Sequence, residues 1–174
     1  MEKSFTPTLF ISVGNEKELS KKLKEMALDA FSISKDSLYT DENGKPLIKN
    51  SSPVGISVTH DENIVAVLIA PFEPLGIDIE KIKNSYSSRI PERFFTKKEQ
   101  ASICSCDDFY KIWCRKESYL KMTGEGIGGI SHTDTFSKKI VYTDLSDEIS
   151  KILNDKFAFM ICSHQPVKPK IIVI

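Results

Sequence analysis

Hydrophobic and polar positions change period several times along this chain, and each change predicts an element. The apolar run Leu9-Phe10-Ile11 within residues 8–13 reads as a strand, closed by Gly14. Leu19, Leu23, Met26, Ala27, Ala30 and Phe31 then recur at helical spacing, predicting an amphipathic helix over 16–32 with Asn15 as N-cap and Glu16 and Glu18 in its first turn. Lys17, Lys21, Lys22 and Lys24 fall on its polar side, the usual composition of a solvated face. The stretch 41–46 centres on Asn43-Gly44, a turn signal, with a short strand expected at Leu47-Ile48. Residues 55–60 alternate apolar with hydroxyl-bearing side chains, whereas 64–70 are apolar throughout. This predicts two antiparallel strands joined by a tight turn, the second buried on both faces.

After Pro71 and Pro74 a strand is expected at 75–80, with Ile77 and Ile79 on one face and Asp78 and Glu80 on the other. A short helix over 93–102 follows the Pro91 start signal, then a longer one capped by Asp107 or Asp108. Phe109, Ile112, Trp113, Lys116 and Leu120 form the apolar stripe of that longer helix, which makes Lys116 an intruder on a face that should be buried. Glu117 stands four residues from both Trp113 and Lys121, in one row at the edge of the stripe. Glycines over 124–129 end the helix, and strands are expected at 139–142, 157–162 and 170–174. Each half thus runs strand, helix, then strand pair or meander. That order predicts an α+β fold of two similar lobes, about 1–74 and 75–174, within a single domain of 174 residues, and a site where the lobes meet.

Composition narrows the function classes. Lysine plus arginine and aspartate plus glutamate are 24 each, so the overall field offers no reason to expect nucleic acid or an anionic membrane. The longest apolar run, 64–70, is far short of the roughly 20 residues a membrane helix needs. The opening Met1-Glu2-Lys3-Ser4 has no signal-peptide character, and a cytoplasmic location is expected. Cys104, Cys106, Cys114 and Cys162 make no paired zinc-type spacing and read as reduced, incidental thiols; His132 and His164 read as structural.

The candidate chemistry lies in the carboxylates. Asp78 and Glu80 lie on one side of a strand, roughly 6.6 Å apart along it, and repel unless a cation or ligand sits between them. Glu117 supplies a third acid. A set of oxygen ligands of this kind suits Mg²⁺, which binds through a few carboxylates and the phosphates of its substrate. Lys116 and Lys121 offer point charges for phosphate oxygens. Each signal alone is ordinary: an Asp-x-Glu is usually an exposed strand face, and a Glu117–Lys121 pair is a routine helix contact worth about 0.3–0.5 kcal/mol.

Taken in order, Gly44-Lys45-Pro46, Ser57-Val58-Thr59-His60, Gly76-Ile77-Asp78-Ile79-Glu80, Arg93-Phe94-Phe95-Thr96-Lys97-Lys98-Glu99 and Trp113-Cys114-Arg115-Lys116-Glu117-Ser118-Tyr119-Leu120-Lys121, followed by Gly124 and Gly126, resemble the 4′-phosphopantetheinyl transferase superfamily. Across roughly residues 15–163 the chain resembles the monomeric, pseudo-duplicated class that includes the surfactin-synthetase activating enzyme. The resemblance implies transfer of the phosphopantetheine arm of coenzyme A to a serine of an acyl or peptidyl carrier protein, with release of adenosine 3′,5′-bisphosphate. It implies Mg²⁺ held by Asp78, Glu80 and Glu117, and Glu117 as the base for the incoming serine. It further implies phosphate binding by Lys116 and Lys121, a coenzyme A phosphate on His60, the 3′-phosphate near Lys45, the hydroxyl of Thr59 at the site, and Glu99 as an acid that orders it.

The chain departs from that pattern in places. It is short for the class, Asn15 and Glu16 stand where relatives often carry arginine, and Thr59-His60-Asp61 replaces the usual Ser-His-Ser, putting an acid beside a phosphate site. Lys21, Lys22 or Lys24 are the candidates to compensate. Two rival readings are a non-catalytic relative that binds coenzyme A or a carrier protein, and a pyrophosphate hydrolase using the same acids. Lys121, at a helix edge, is expected to matter far more to turnover than to folding.

Overall fold

The computed structural model describes residues 5–49, 53–126, 133–137 and 139–174. Strand β1 (Thr8–Val13) leads into helix α1 (Glu16–Ala30), whose N-cap Asn15 accepts from the Glu18 amide. A hairpin of β2 (Leu38–Thr40) and β3 (Pro46–Ile48) follows, turning at Gly44 with φ +83°. Then come β4 (Gly55–Asp61), β5 (Ile64–Ala70) and β6 (Leu75–Lys81). Three helices, α2 (Arg89–Phe94), α3 (Lys97–Ala101) and α4 (Cys106–Thr123), precede β7 (Val141–Asp144), α5 (Ser146–Leu153), β8 (Phe157–Ser163) and β9 (Lys170–Val173).

The strands form two main sheets, β4-β5-β1-β9 and β6-β8-β7. All residues of β5 are buried, and the strand period sorts them between two cores. Val65, Val67 and Ile69 pack with Leu23, Ala27 and Phe31 of α1. Ala66, Leu68 and Ala70 face Ile77, Ile79, Phe159 and Ile161 of the second sheet. Ala158 and Met160, on the far face of β8, pack with Phe109, Ile112 and Cys114 of α4. The layers therefore run α1, first sheet, second sheet, α4: an α+β fold of two lobes, as the sequence pattern predicts.

The lobes also meet edge to edge. Ser57 Oγ accepts from the Ile77 amide at 3.1 Å, Thr59 Oγ1 from Ile79 at 3.2 Å and Asp61 Oδ2 from Lys81 at 2.6 Å. The constant offset makes β4 and β6 run side by side in the same direction, with side-chain oxygens in place of the missing carbonyl partners of an edge strand. At about 1.5–3 kcal/mol for each fully buried Leu, Ile or Phe against about 0.5–1.5 for each hydrogen bond, the inter-sheet core holds the lobes together. The seam sets their register.

Several local expectations need correction. The single helix over 93–102 is two helices, because Phe95 is extended and buried and Thr96 caps α3 in a reciprocal box with Glu99. Ser105, not Asp107 or Asp108, caps α4; the Asp108 carboxylate accepts from Ser105 Oγ and the Cys104 amide. α1 stops at Ala30, and the strand expected at 139–142 lies at Val141–Asp144. The expected order of elements lacks α5, although Leu145, Ile149, Ile152 and Leu153 recur at helical spacing. β9 pairs in parallel with β1, so the last strand belongs spatially with the first lobe. The readings of His132 and of glycines 128 and 129 lie outside the described residues.

Candidate active site

The alternation of β6 decides the site. Ile77 and Ile79 point into the inter-sheet core, leaving Gly76, Asp78 and Glu80 beneath α4. Gly76 sets how closely helix and strand approach: a Cβ there would lie 2.1 Å from the Ser118 carbonyl oxygen and 2.4 Å from the Met122 amide nitrogen. Further along, Cys114 Sγ lies 3.0 Å from the Asp78 carbonyl oxygen, and Trp113 Nε1 donates to Glu80 Oε1 at 3.2 Å. Glu117 and Lys121, one turn apart on α4, occupy the edge of this contact.

Asp78 is only 3% exposed. Its Oδ1 receives Lys121 Nζ at 2.6 Å and Thr59 Oγ1 at 3.1 Å, whereas Oδ2 is buried with no hydrogen-bond partner. Thr59 Oγ1 also receives Lys121 Nζ at 3.0 Å. Desolvation, then the charges of Asp78 and Asp61, raise the pKa of Glu80 to about 8 against the pull of the Trp113 hydrogen bond. Burial and the charge of Asp78 raise Glu117 as well. Burial draws Lys121 down, but the charge and hydrogen bond of Asp78, with Glu117, outweigh it and hold the ammonium above its ordinary value. The three acids thus repel one another in a poorly hydrated place, with one carboxylate oxygen left over.

That electrostatic excess is what a hard divalent cation relieves, and the all-oxygen donor set suits Mg²⁺. The acids are not, however, already drawn into a coordination shell. Among the described residues no group of three or more His, Cys, Asp or Glu side chains is gathered to hold an ion, and Lys121 occupies the place of a cation beside Asp78.

A pocket of about 360 Å³ opens beside this cluster, between α1, the β2–β3 hairpin, β4 and the C-terminal end of α4. Of the residues given a metal, phosphate or catalytic role from the sequence, Lys45, His60, Glu117 and Lys121 line it. Lys45 Nζ caps the end of α4 by donating to the Met122 carbonyl at 2.5 Å, and burial lowers its pKa. His60 Nε2 lies 3.2 Å from Glu16 Oε1.

Lys116, expected to bind phosphate, does not line the pocket, nor do Glu99, expected to order the site, and Thr59, expected to place its hydroxyl there. Lys116 is wholly buried, with Nζ 3.0 Å from Glu99 Oε2 and 2.6 Å from the Thr133 carbonyl oxygen. Glu99, equally buried, accepts from the Thr96 amide, the Thr135 amide and Thr135 Oγ1. Burial pushes its pKa up, but those hydrogen bonds and Lys116 bring it below the ordinary value. This pair ties α3, α4 and the 133–135 segment together; it is a structural joint, not a phosphate ligand. Thr59, 1% exposed, spends its hydroxyl on Ile79, Lys121 and Asp78. Asp61 is likewise turned to the β6 backbone and not to a phosphate position. Glu16, Ser20 and Lys24 also line the pocket. Lys24 is one of the three lysines expected from the sequence to compensate for the missing arginine, and Glu16 stands at that arginine's place; Ser20, four residues from each, is the addition.

The fold and site define a two-lobed α+β protein with an acid cluster beside one cation-lined pocket. Residues 74–167 match the 4′-phosphopantetheinyl transferase superfamily, and the chain belongs to that family. It is similar to the 4′-phosphopantetheinyl transferase Sfp of Bacillus subtilis (strain 168), 34% identical over 107 residues that make up 58% of this chain and 46% of that protein. The Bacillus subtilis transferase ffp is 36% identical over 107 residues, 57% of this chain and 45% of that one. The Bacillus pumilus transferase psf-1 is 33% identical over 94 residues, 51% and 40% of the two chains. The chain covers under half the length of each of these relatives. All three are named as 4′-phosphopantetheinyl transferases.

Proposed function

We propose that this protein transfers the 4′-phosphopantetheine group of coenzyme A to a serine of an apo acyl or peptidyl carrier protein. The observation that carries this reading is the buried, unpartnered Oδ2 of Asp78 next to two acids with raised pKa values, at the wall of a cation-lined pocket. The activity for which the relatives are named supports it. Asp78, Glu80 and Glu117 would hold Mg²⁺, which would neutralise charge on the coenzyme A pyrophosphate.

In the proposed reaction the serine Oγ forms a bond to the phosphorus that carries phosphopantetheine. The bond from that phosphorus to the bridging pyrophosphate oxygen breaks, and adenosine 3′,5′-bisphosphate leaves. Glu117 takes the serine proton; its raised pKa makes it a stronger base than an ordinary carboxylate once ionised. Lys121, about one-third exposed and on the pocket wall, presents its ammonium to the phosphate oxygens. Lys45 and His60 bound the part of the pocket assigned to the nucleotide end. Glu99, Lys116 and Thr59 act through the residues they hold. The proposal takes the chain as one domain of two lobes, acting as a monomer in the cytoplasm. Among the described residues no helix is long and apolar enough to cross a membrane.

The test is to incubate the protein with coenzyme A, Mg²⁺ and apo carrier proteins of fatty-acid, polyketide and peptide type, and to weigh the carriers by mass spectrometry. A phosphopantetheine-sized gain that disappears in Asp78→Ala supports transfer. Coenzyme A binding with no gain on any carrier would leave the non-catalytic reading in its place.

A further inference from the structure

The pocket's cations are not equally available to a ligand. Lys121 is engaged by Asp78 and Thr59, Lys45 is tied to the Met122 carbonyl, and His60 is held by Glu16. Lys24, half-buried on α1, lines the same pocket and has no hydrogen-bond or ion-pair partner among the described residues. It stands two helical turns from Glu16, on the same face, with Ser20 between them. Lys22 does not line the pocket, and Lys21 lines only the shallow groove beyond it.

Resting on the transferase reading, we infer that Lys24 anchors the terminal phosphate monoester of the nucleotide, and that Glu16 opposes it by occupying His60. A dianionic phosphate gains most from a cation that need not abandon another partner. Lys24 meets that condition, while recruiting His60 requires displacing Glu16, a like charge to the incoming ligand. The distribution of residues around the pocket agrees: Glu117 and Lys121 come from α4, where the pyrophosphate is assigned, and Lys24 and Glu16 from a separate element, α1. The affinity for the far end of the ligand is then set by a balance between one lysine and one glutamate on the same helix face.

The experiment compares equilibrium binding of coenzyme A and 3′-dephospho-coenzyme A, which share the pyrophosphate and differ only in the terminal phosphate. Wild type, Lys24→Gln, Lys24→Arg and Glu16→Gln are measured by calorimetry in one buffer. Thermal unfolding checks that each variant is folded. Lys24→Gln is expected to weaken coenzyme A roughly tenfold, the low end for a hydrogen bond between charged groups, and to leave the dephospho ligand unchanged. Lys24→Arg is expected to retain the preference, and Glu16→Gln to tighten coenzyme A selectively. Equal weakening of both ligands by Lys24→Gln would put Lys24 on the pyrophosphate and overturn the inference, as would no weakening of either. Wild type that binds neither ligand would remove the transferase reading itself.

Discussion

Asp78 gives one carboxylate oxygen to the Lys121 ammonium at 2.6 Å and keeps the other buried without a partner. The pair joins β6 to the last turns of α4, and Thr59 adds the first lobe to it through one hydroxyl. Lys121 therefore does two things: it faces the pocket, and it neutralises an acid that the fold has removed from water.

Lys121→Ala is consequently expected to cost more in folding than its helix-edge position suggests. It strands a charge at Asp78, and the expected loss is about 1–3 kcal/mol by urea denaturation, below the range for fully buried pairs because Lys121 is partly exposed. Asp78→Asn combined with Lys121→Met should recover much of that loss while abolishing transfer. If Lys121→Ala unfolds at the wild-type urea midpoint, the structural half of this role is wrong.

Stability should fall as pH rises through the Glu80 window when no divalent cation is present. Burial first, and then the charges of Asp78 and Asp61, raise its folded pKa to about 8, above the ordinary 4.5. Between those values the folded state holds a proton that the unfolded chain has released, so the slope of unfolding free energy with pH is negative. Glu80→Gln should flatten the decline seen in the wild-type thermal midpoint between about pH 4.5 and 8. Mg²⁺ should raise the midpoint at pH 8 in wild type but not in Asp78→Asn. An unchanged pH profile in Glu80→Gln would exclude this source.

Lys116→Met should be among the most destabilising substitutions in α4. Both members of the Glu99–Lys116 pair are inaccessible to solvent, and removing one leaves a buried charge. A loss of about 3–5 kcal/mol is expected, and of similar size for Glu99→Gln, which strands the Lys116 ammonium and leaves one acceptor oxygen where Thr135 uses one and Thr96 with Lys116 the other. Chemical denaturation checks the ranking; Lys116→Met with normal stability and impaired coenzyme A binding would restore Lys116 to the phosphate site.

Gly76→Ala tests the closeness of β6 and α4. The added methyl would meet backbone on the helix, which cannot swing aside as a side-chain tip can. A loss of about 1–3 kcal/mol is expected from overpacking, together with weaker Mg²⁺ stabilisation as Lys121 and Asp78 are drawn apart. A Gly76→Ala variant that matches wild type in both measurements would show that α4 can move freely.

The order of elements, the burial of β5 and the alternation that places Asp78 and Glu80 together follow from local periodicity, which a sequence displays directly. So does the oddity of Lys116 on an apolar stripe. The sequence could not show where its charge went: Glu99 lies 17 positions away in a separate helix, and only packing brings the two to 3.0 Å. The seam of Ser57, Thr59 and Asp61 against β6 was visible as alternating polar side chains, but their acceptor roles depend on two edge strands running in register. The difference between Lys24 and its neighbouring lysines is equally a tertiary fact, because the helix repeats them at similar spacing and the pocket borders only one side. Periodicity determined which residues share a face; the tertiary structure decided which of those charges are spent on the fold and which remain for a ligand, since that depends on distances between segments remote in the chain.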